Sequence, residues 1–166
     1  MSEPVFTTRQ IDTDRPSYVL QASITGGSGK SMASLLNPSG SGKKLCVRAL
    51  LIQPRSSSGT NVIVTYETRA ITAHSGGSAF TPLKRDSADD ASVAQAKTEP
   101  SSVTGTTNIH TFILQSNTVQ GIYVHRFGSW GERPIVLREG EGICIHQVTS
   151  NAGSFDITLI WTEEAP

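Results

Sequence analysis

The chain has 166 residues, which suits one domain of ordinary size. Its 14 Lys and Arg balance 14 Asp and Glu, so nothing electrostatic favours nucleic acid or a membrane surface as a partner. No apolar run reaches the ~18 residues of a membrane span. The start, M-S-E-P-V-F-T-T-R-Q, lacks the basic and apolar regions of a signal peptide, so cytoplasmic synthesis is expected.

Residues 1–17 carry Pro4 and Pro16 and little periodicity, and they read as an extended N-terminal arm. Phe6, Ile11 and Tyr18 are apolar for a frayed end, so the arm either frays or crosses to a neighbouring subunit. Residues 18–166 are then one domain. Tyr18 to Thr25 is a first strand. Gly26 to Ser31, G-G-S-G-K-S, invites comparison with a phosphate-binding loop. That loop needs a glycine at position 24, where Ile24 stands, and a helix behind it, where Met32 to Asn37 is short and ends at Pro38. A turn is predicted instead.

Met32 to Asn37 is a second strand, and Pro38 to Lys44 a Gly/Ser turn. Leu45 to Gln53 is a strong strand, with Leu45, Val47, Ala49 and Leu51 on one face. Asn61 to Ile71 follows, with Val62, Val64 and Tyr66 turned in. The short Pro/Ser/Gly segment between these two strands predicts an antiparallel hairpin. Residues 72–107 then lose the pattern. A short helix is expected at Ser87 to Lys97: Ser87 would cap it, Asp89 and Asp90 suit its start, Lys97 its end, and Pro100 stops it.

Asn108 to Ser116 and Gln120 to Arg126 resume the β signal. Trp130 sits among glycines, either folded back on a sheet edge or offered to a partner. Pro134 to Leu137 is a short strand and Glu139 to Gly142 a turn. Gly142 to Thr149 and Phe155 to Thr162 are strands joined through S-N-A-G-S, which predicts a long hairpin. Phe155, Ile157, Leu159 and Trp161 share one face, the period of a strand lying on a core. Eight or nine strands and no long amphipathic helix predict an all-β fold. The expected form is an antiparallel β-sandwich with jelly-roll or Greek-key wiring.

The residues capable of chemistry are scattered. Cys144 and His146 lie two apart on one strand, so with His110 or His125 they could face a metal, as in cupins. Cupins carry an H-x-H pair, which this sequence lacks. Neither a metal nor another cofactor is therefore expected. Cys46 and Cys144 read as small buried apolar residues. There is no G-x-S-x-G and no C-x-x-C, and the acidic residues stand mostly in turns, so no enzyme is expected.

The run E-R-P-I-V-L-R-E-G-E-G-I-C-I-H-Q-V-T-S-N-A-G-S-F-D-I-T-L-I-W-T-E-E resembles the C-terminal signature of small jelly-roll structural proteins of tailed bacteriophages. Thr68 to Thr72, Gly76-Gly77 and Thr81 to Lys84 look like the same group. The resemblance runs from Leu45 onward and leaves out the arm. It implies a non-enzymatic virion component, a head cement or decoration protein. Such a protein would sit outside the phage head, bind the major capsid protein, and form a homotrimer. Within that picture Phe6, Arg9, Arg15 and Tyr18 of the arm, with Trp130 and Arg133 near an edge, are the expected interface residues, since aromatics and arginines anchor such contacts. Two other roles stay open. One is a tail or head-fibre protein that stacks a host glycan on Tyr123 or Trp130. The other is a cupin-like metal-binding sandwich.

Overall fold

The structure is a computed structural model that describes residues 15–56, 63–105, 107–115, 122–127, 133–149 and 153–166. These residues form fourteen strands and no helix. The strands are β1 (Ser17–Thr25), β2 (Lys30–Leu36), β3 (Lys44–Ser56), β4 (Ile63–Ile71), β5 (Ala73–Ser75), β6 (Ser78–Phe80) and β7 (Leu83–Lys84). They continue with β8 (Gln95–Thr98), β9 (Ser102–Thr104), β10 (Thr107–Gln115), β11 (Tyr123–Arg126), β12 (Ile135–Leu137), β13 (Gly142–Gln147) and β14 (Ser154–Glu164). One sheet runs β11-β3-β14-β1-β7, with β12 also on β3. The second runs β10-β4-β13-β2-β8-β6, and β5 and β9 pair apart.

Every pairing is antiparallel, and the main ones are nested. β1 pairs with β14, β2 with β13, β3 with β11 and β12, and β4 with β10. The chain is thus one long double ladder, folded back on itself and rolled so that successive rungs alternate between sheets. This is jelly-roll wiring, and the expected antiparallel sandwich is present. It also overturns both predicted hairpins. β3 and β4 follow one another in sequence but lie in opposite sheets, as do β13 and β14. A short connection makes a hairpin only when both strands hydrogen-bond each other, and here each finds a better-matched partner elsewhere.

The core lies between the sheets. Phe155, Ile157, Leu159 and Trp161 of β14 point into it, with Leu20, Ile24, Tyr66, Ile143 and Ile145. The alternation read along β3 breaks at Arg48. Ala49 opposes Ile160 and Val47 opposes Trp161, so Arg48 is an extra residue. This bulge moves the next inward positions to Leu50 and Ile52 rather than Ala49 and Leu51.

The helix expected at Ser87 to Lys97 does not form. Asp86 accepts from the Ala88 amide in a turn, and residues 95–98 are strand β8. The alanines that would suit a surface helix are used otherwise: Ala94 and Ala96 are core residues. The long segment 72–107 holds β5 to β9 and starts β10. Gly77 is required within it. Its φ is +65°, and an added Cβ would lie 2.4 Å from the Thr98 carbonyl oxygen.

Candidate functional site

The four histidines fall into three separate places. His110 and His125 lie on the inner faces of β10 and β11, ring centroids 4.8 Å apart. The Tyr123 hydroxyl reaches both, 3.3 Å from His110 Nε2 and 3.4 Å from His125 Nδ1. His146 and Cys144 lie on β13 facing the other way, on the outer side of the second sheet, so the imagined metal set does not assemble. His74 reaches Ser34 Oγ at 2.7 Å from the β5 side. Among the described residues no group of three or more His, Cys, Asp or Glu could hold a metal ion.

The nearest thing to a catalytic row is Ser31, His146 and Glu67 on adjacent strands β2, β13 and β4. Ser31 Oγ is 3.4 Å from His146 Nδ1, too long for an activated nucleophile. Glu67 is bound by Arg69 at 2.7 Å rather than orienting the imidazole. Burial, assisted by Arg69, lowers the His146 pKa, and burial with Lys97 lowers that of His74. Both shifts favour the neutral imidazole. The two cysteines are free and buried. Burial pushes Cys46 up to about 11, with Glu164 adding to the effect, and pushes Cys144 up to about 11 as well. Neither is a thiolate at neutral pH.

The Gly26–Ser31 segment is a turn entering strand β2. Lys30 N–H donates to the Gly27 carbonyl at 3.3 Å, Gly26 N–H donates to the Gly153 carbonyl, and Gly29 has φ +65°. The E-G-E-G turn has a structural task too. Glu139 accepts from the amides of Gly40 and Gly42, and Gly140 N–H donates to the Asn37 carbonyl. Two turns 100 residues apart in sequence are clamped together there, through Asn37 Nδ2 on the Leu137 carbonyl.

What remains is the sandwich's two sides. On one side the short strands β6, β7 and β8 cover the edges, and buried polar groups pin their loop. Glu163 accepts from Ser92 Oγ, from the Val93 amide and from Trp161 Nε1. Tyr18 donates its hydroxyl to the Asp90 carbonyl at 2.9 Å, and Ser17 N–H donates to Asp89. We call this the latched side.

Among the described residues the other side is open. There β10 ends one sheet and β11 ends the other. Between them Phe112 stacks on Tyr123, centroids 4.3 Å apart and planes within 6°, with Tyr66 behind. Facing outward from these strands are Ile109, Ile113 and Val124, joined by Ile122 and Val148; Ile113 is 63% exposed. Of the large exposed apolar side chains among the described residues, only Leu83 lies elsewhere.

The sequence-predicted interface residues are not gathered by this geometry. Phe6, Arg9 and Trp130 lie outside the described residues. Tyr18 is corrected: it lies in the expected first strand, but it is 1% exposed and stacked on Trp161 in the core rather than offered at a surface. Tyr packs inward here because its ring fills the core while its hydroxyl finds Asp90. Arg15 pairs with Glu164 beside Lys44 and Arg48. Arg133 is exposed ahead of β12. Phe112 stacks on one face of the Tyr123 ring. The exposed isoleucines of β10 were missed because a strand's two faces look alike when both are apolar. Comparison with protein-family models, with curated proteins and with solved structures gives no match.

Proposed function

We propose that this chain is a non-enzymatic structural protein that works by docking, and that it is a cement protein on the outside of a phage head. The observation that carries the docking role is the concentration of exposed apolar side chains on the open side. Single exposed leucines are ordinary, but exposed apolar side chains repeated on the outer faces of two edge strands mark a contact surface. The chemical candidates support the same reading. The histidines and cysteines pack as framework residues, and Glu163 is consumed by the latch. The phage setting rests on the C-terminal resemblance. The jelly-roll wiring is compatible with it, and a fold alone does not name a function. The partners would be the major capsid protein and further copies of this chain.

The test uses empty phage heads that lack this protein, with bound copies counted by electron microscopy and head survival followed during heating. Saturable binding at fixed lattice positions and heads that withstand higher temperature are expected. The double variant I122K/V124K should lose binding while remaining folded. Wild-type protein that binds no head surface would remove the cement role.

A further inference from the structure

We propose that β10 is a self-pairing edge, and that two copies of this chain join their second sheets into one continuous sheet across a two-fold axis at Ile113. The inference rests on the docking role only in taking the open side as the assembly side.

The first ground is the strand itself. Thr107 to Gln115, T-N-I-H-T-F-I-L-Q, is nine residues long and contains no Asp, Glu, Lys, Arg, Pro or Gly. Free edges in soluble proteins are usually blunted by charge, proline or shortness, because their unpaired amides and carbonyls accept another strand. β6 and β7, at the other end of the two sheets, are three and two residues long and follow that rule. β10 does not. Its uncharged composition also means that a second copy brings no like charges together, so self-pairing is not opposed.

The second ground is the direction of the backbone. In β4, Thr65 N–H donates to Thr149 Oγ1 and its carbonyl accepts from the Val148 amide. Both backbone groups of Thr65 therefore face away from β10. Ile113 is directly opposite Thr65, which makes this a non-hydrogen-bonded pair. The N–H and C=O of Ile113 must then point out of the sheet. So must those of Thr111 and Gln115, two residues either way.

These facts select a register. An antiparallel pair related by a two-fold axis through Ile113 sets Ile113 against itself and Thr111 against position 115. All three outward-pointing residues then exchange both of their backbone hydrogen bonds. A pair centred on Phe112 would need position 115 to meet Ile109, where the β10 ladder is bulged. A pair centred on Ile113 stays within the regular stretch. It also brings Phe112 beside Leu114 of the second copy on the inner face, and Leu114 is only partly buried in one chain. The two Ile113 side chains meet on the outer face, each next to Thr65 of its own chain. A contact of this kind uses the same patch on both copies, so it closes at two. The trimer implied by the phage resemblance requires two different patches and a different mass.

The experiment is sedimentation equilibrium on the purified wild-type protein and on I113K and I113E, with circular dichroism to confirm folding. Ile113 is exposed, so neither change disturbs the core. Wild type should sediment at twice the 17.7 kDa chain mass. Each variant alone should sediment as a monomer, because like charges would stand directly opposite one another. An equimolar mixture of I113K and I113E should recover the dimer. Hydrogen exchange should show the Ile113 amide slowed in wild type and fast in I113K. A wild-type monomer or trimer, or a dimer that survives I113K, would overturn the pairing. Failure here with intact head binding would leave the cement role standing, and the reverse result would leave the pairing standing.

Discussion

On the latched side the strand edges are short and the loop beside them is held by side chains reaching from β1 and β14. On the open side no described strand pairs with the outer edge of β10 or β11, and aromatic rings seal the gap between sheets from within. The two sides solve the same problem by different means. A sandwich must close the space between its sheets and must also deal with unpaired edges. The latch does both, with Glu163 and Tyr18 binding the chain that crosses over. The aromatic seam of Tyr66, Phe112, Tyr123 and His125 does only the first. Among the described residues that leaves β10 and β11 without a covering strand, as the proposed docking role would need.

Breaking the latch should have the largest effect. Glu163→Ala strands Ser92, the Val93 amide and Trp161 Nε1 without their acceptor in a buried place. A loss of about 3 kcal/mol is expected in urea denaturation. Tyr18→Phe removes one hydrogen bond, to Asp90, and leaves the ring; about 1 kcal/mol is expected by the same measurement. An undiminished midpoint in both would mean that the latch contributes nothing.

Acid should also separate the regions. The pKa values of His74 and His146 lie below the ordinary value of 6.5 in the fold. The unfolded chain therefore binds protons first as pH falls. Their contribution is full above about 6.5 and is lost as pH drops from there toward the folded values. For Glu164 burial acts to raise the pKa, but Cys46, Arg15 and Lys44 outweigh it, so the net shift is down. Its contribution is full above 4.5 and is lost on further acidification as pH approaches the depressed folded value. Both losses run the same way, so denaturation midpoints should fall from pH 7 to 5 and again below 4.5. Replacing His146 with Gln should flatten the first step and not the second.

Smaller effects should come from groups the fold leaves unpaired and from the open side. Thr68 faces the core with its hydroxyl buried and without a partner among the described residues. Thr68→Val should raise stability by about 1 kcal/mol. Val124→Ser, on the open side, should leave stability within about 0.5 kcal/mol while lowering any affinity for a partner. A large stability loss from Val124→Ser would mean that this surface serves the fold instead.

Local pattern carried the strands themselves. Tyr18 to Thr25, Met32 to Asn37, Leu45 to Gln53 and Phe155 to Thr162 all became strands, since alternation along a chain directly records which side meets a core. The inward face of β14 was legible residue by residue. So were the buried cysteines and the turn at Gly26 to Ser31, because each depends on near neighbours. The candidate site was barely legible. Tyr18 looked like an interface anchor because nothing in its own neighbourhood announces Trp161 or Asp90. Ile113 looked like any apolar strand position.

Those were matters for the tertiary structure. Which strand pairs with which is decided by contacts between residues as far apart as Ser17 and Thr162. A sequence window sees neither the partner nor the bulge at Arg48 that shifts the register. The same holds for the helix that does not form: Ala94 and Ala96 have helical propensity, and burial in the core overrides it. Strands are a property of short segments. The jelly roll, its latched side and its open edge exist only once the two halves of the chain have met.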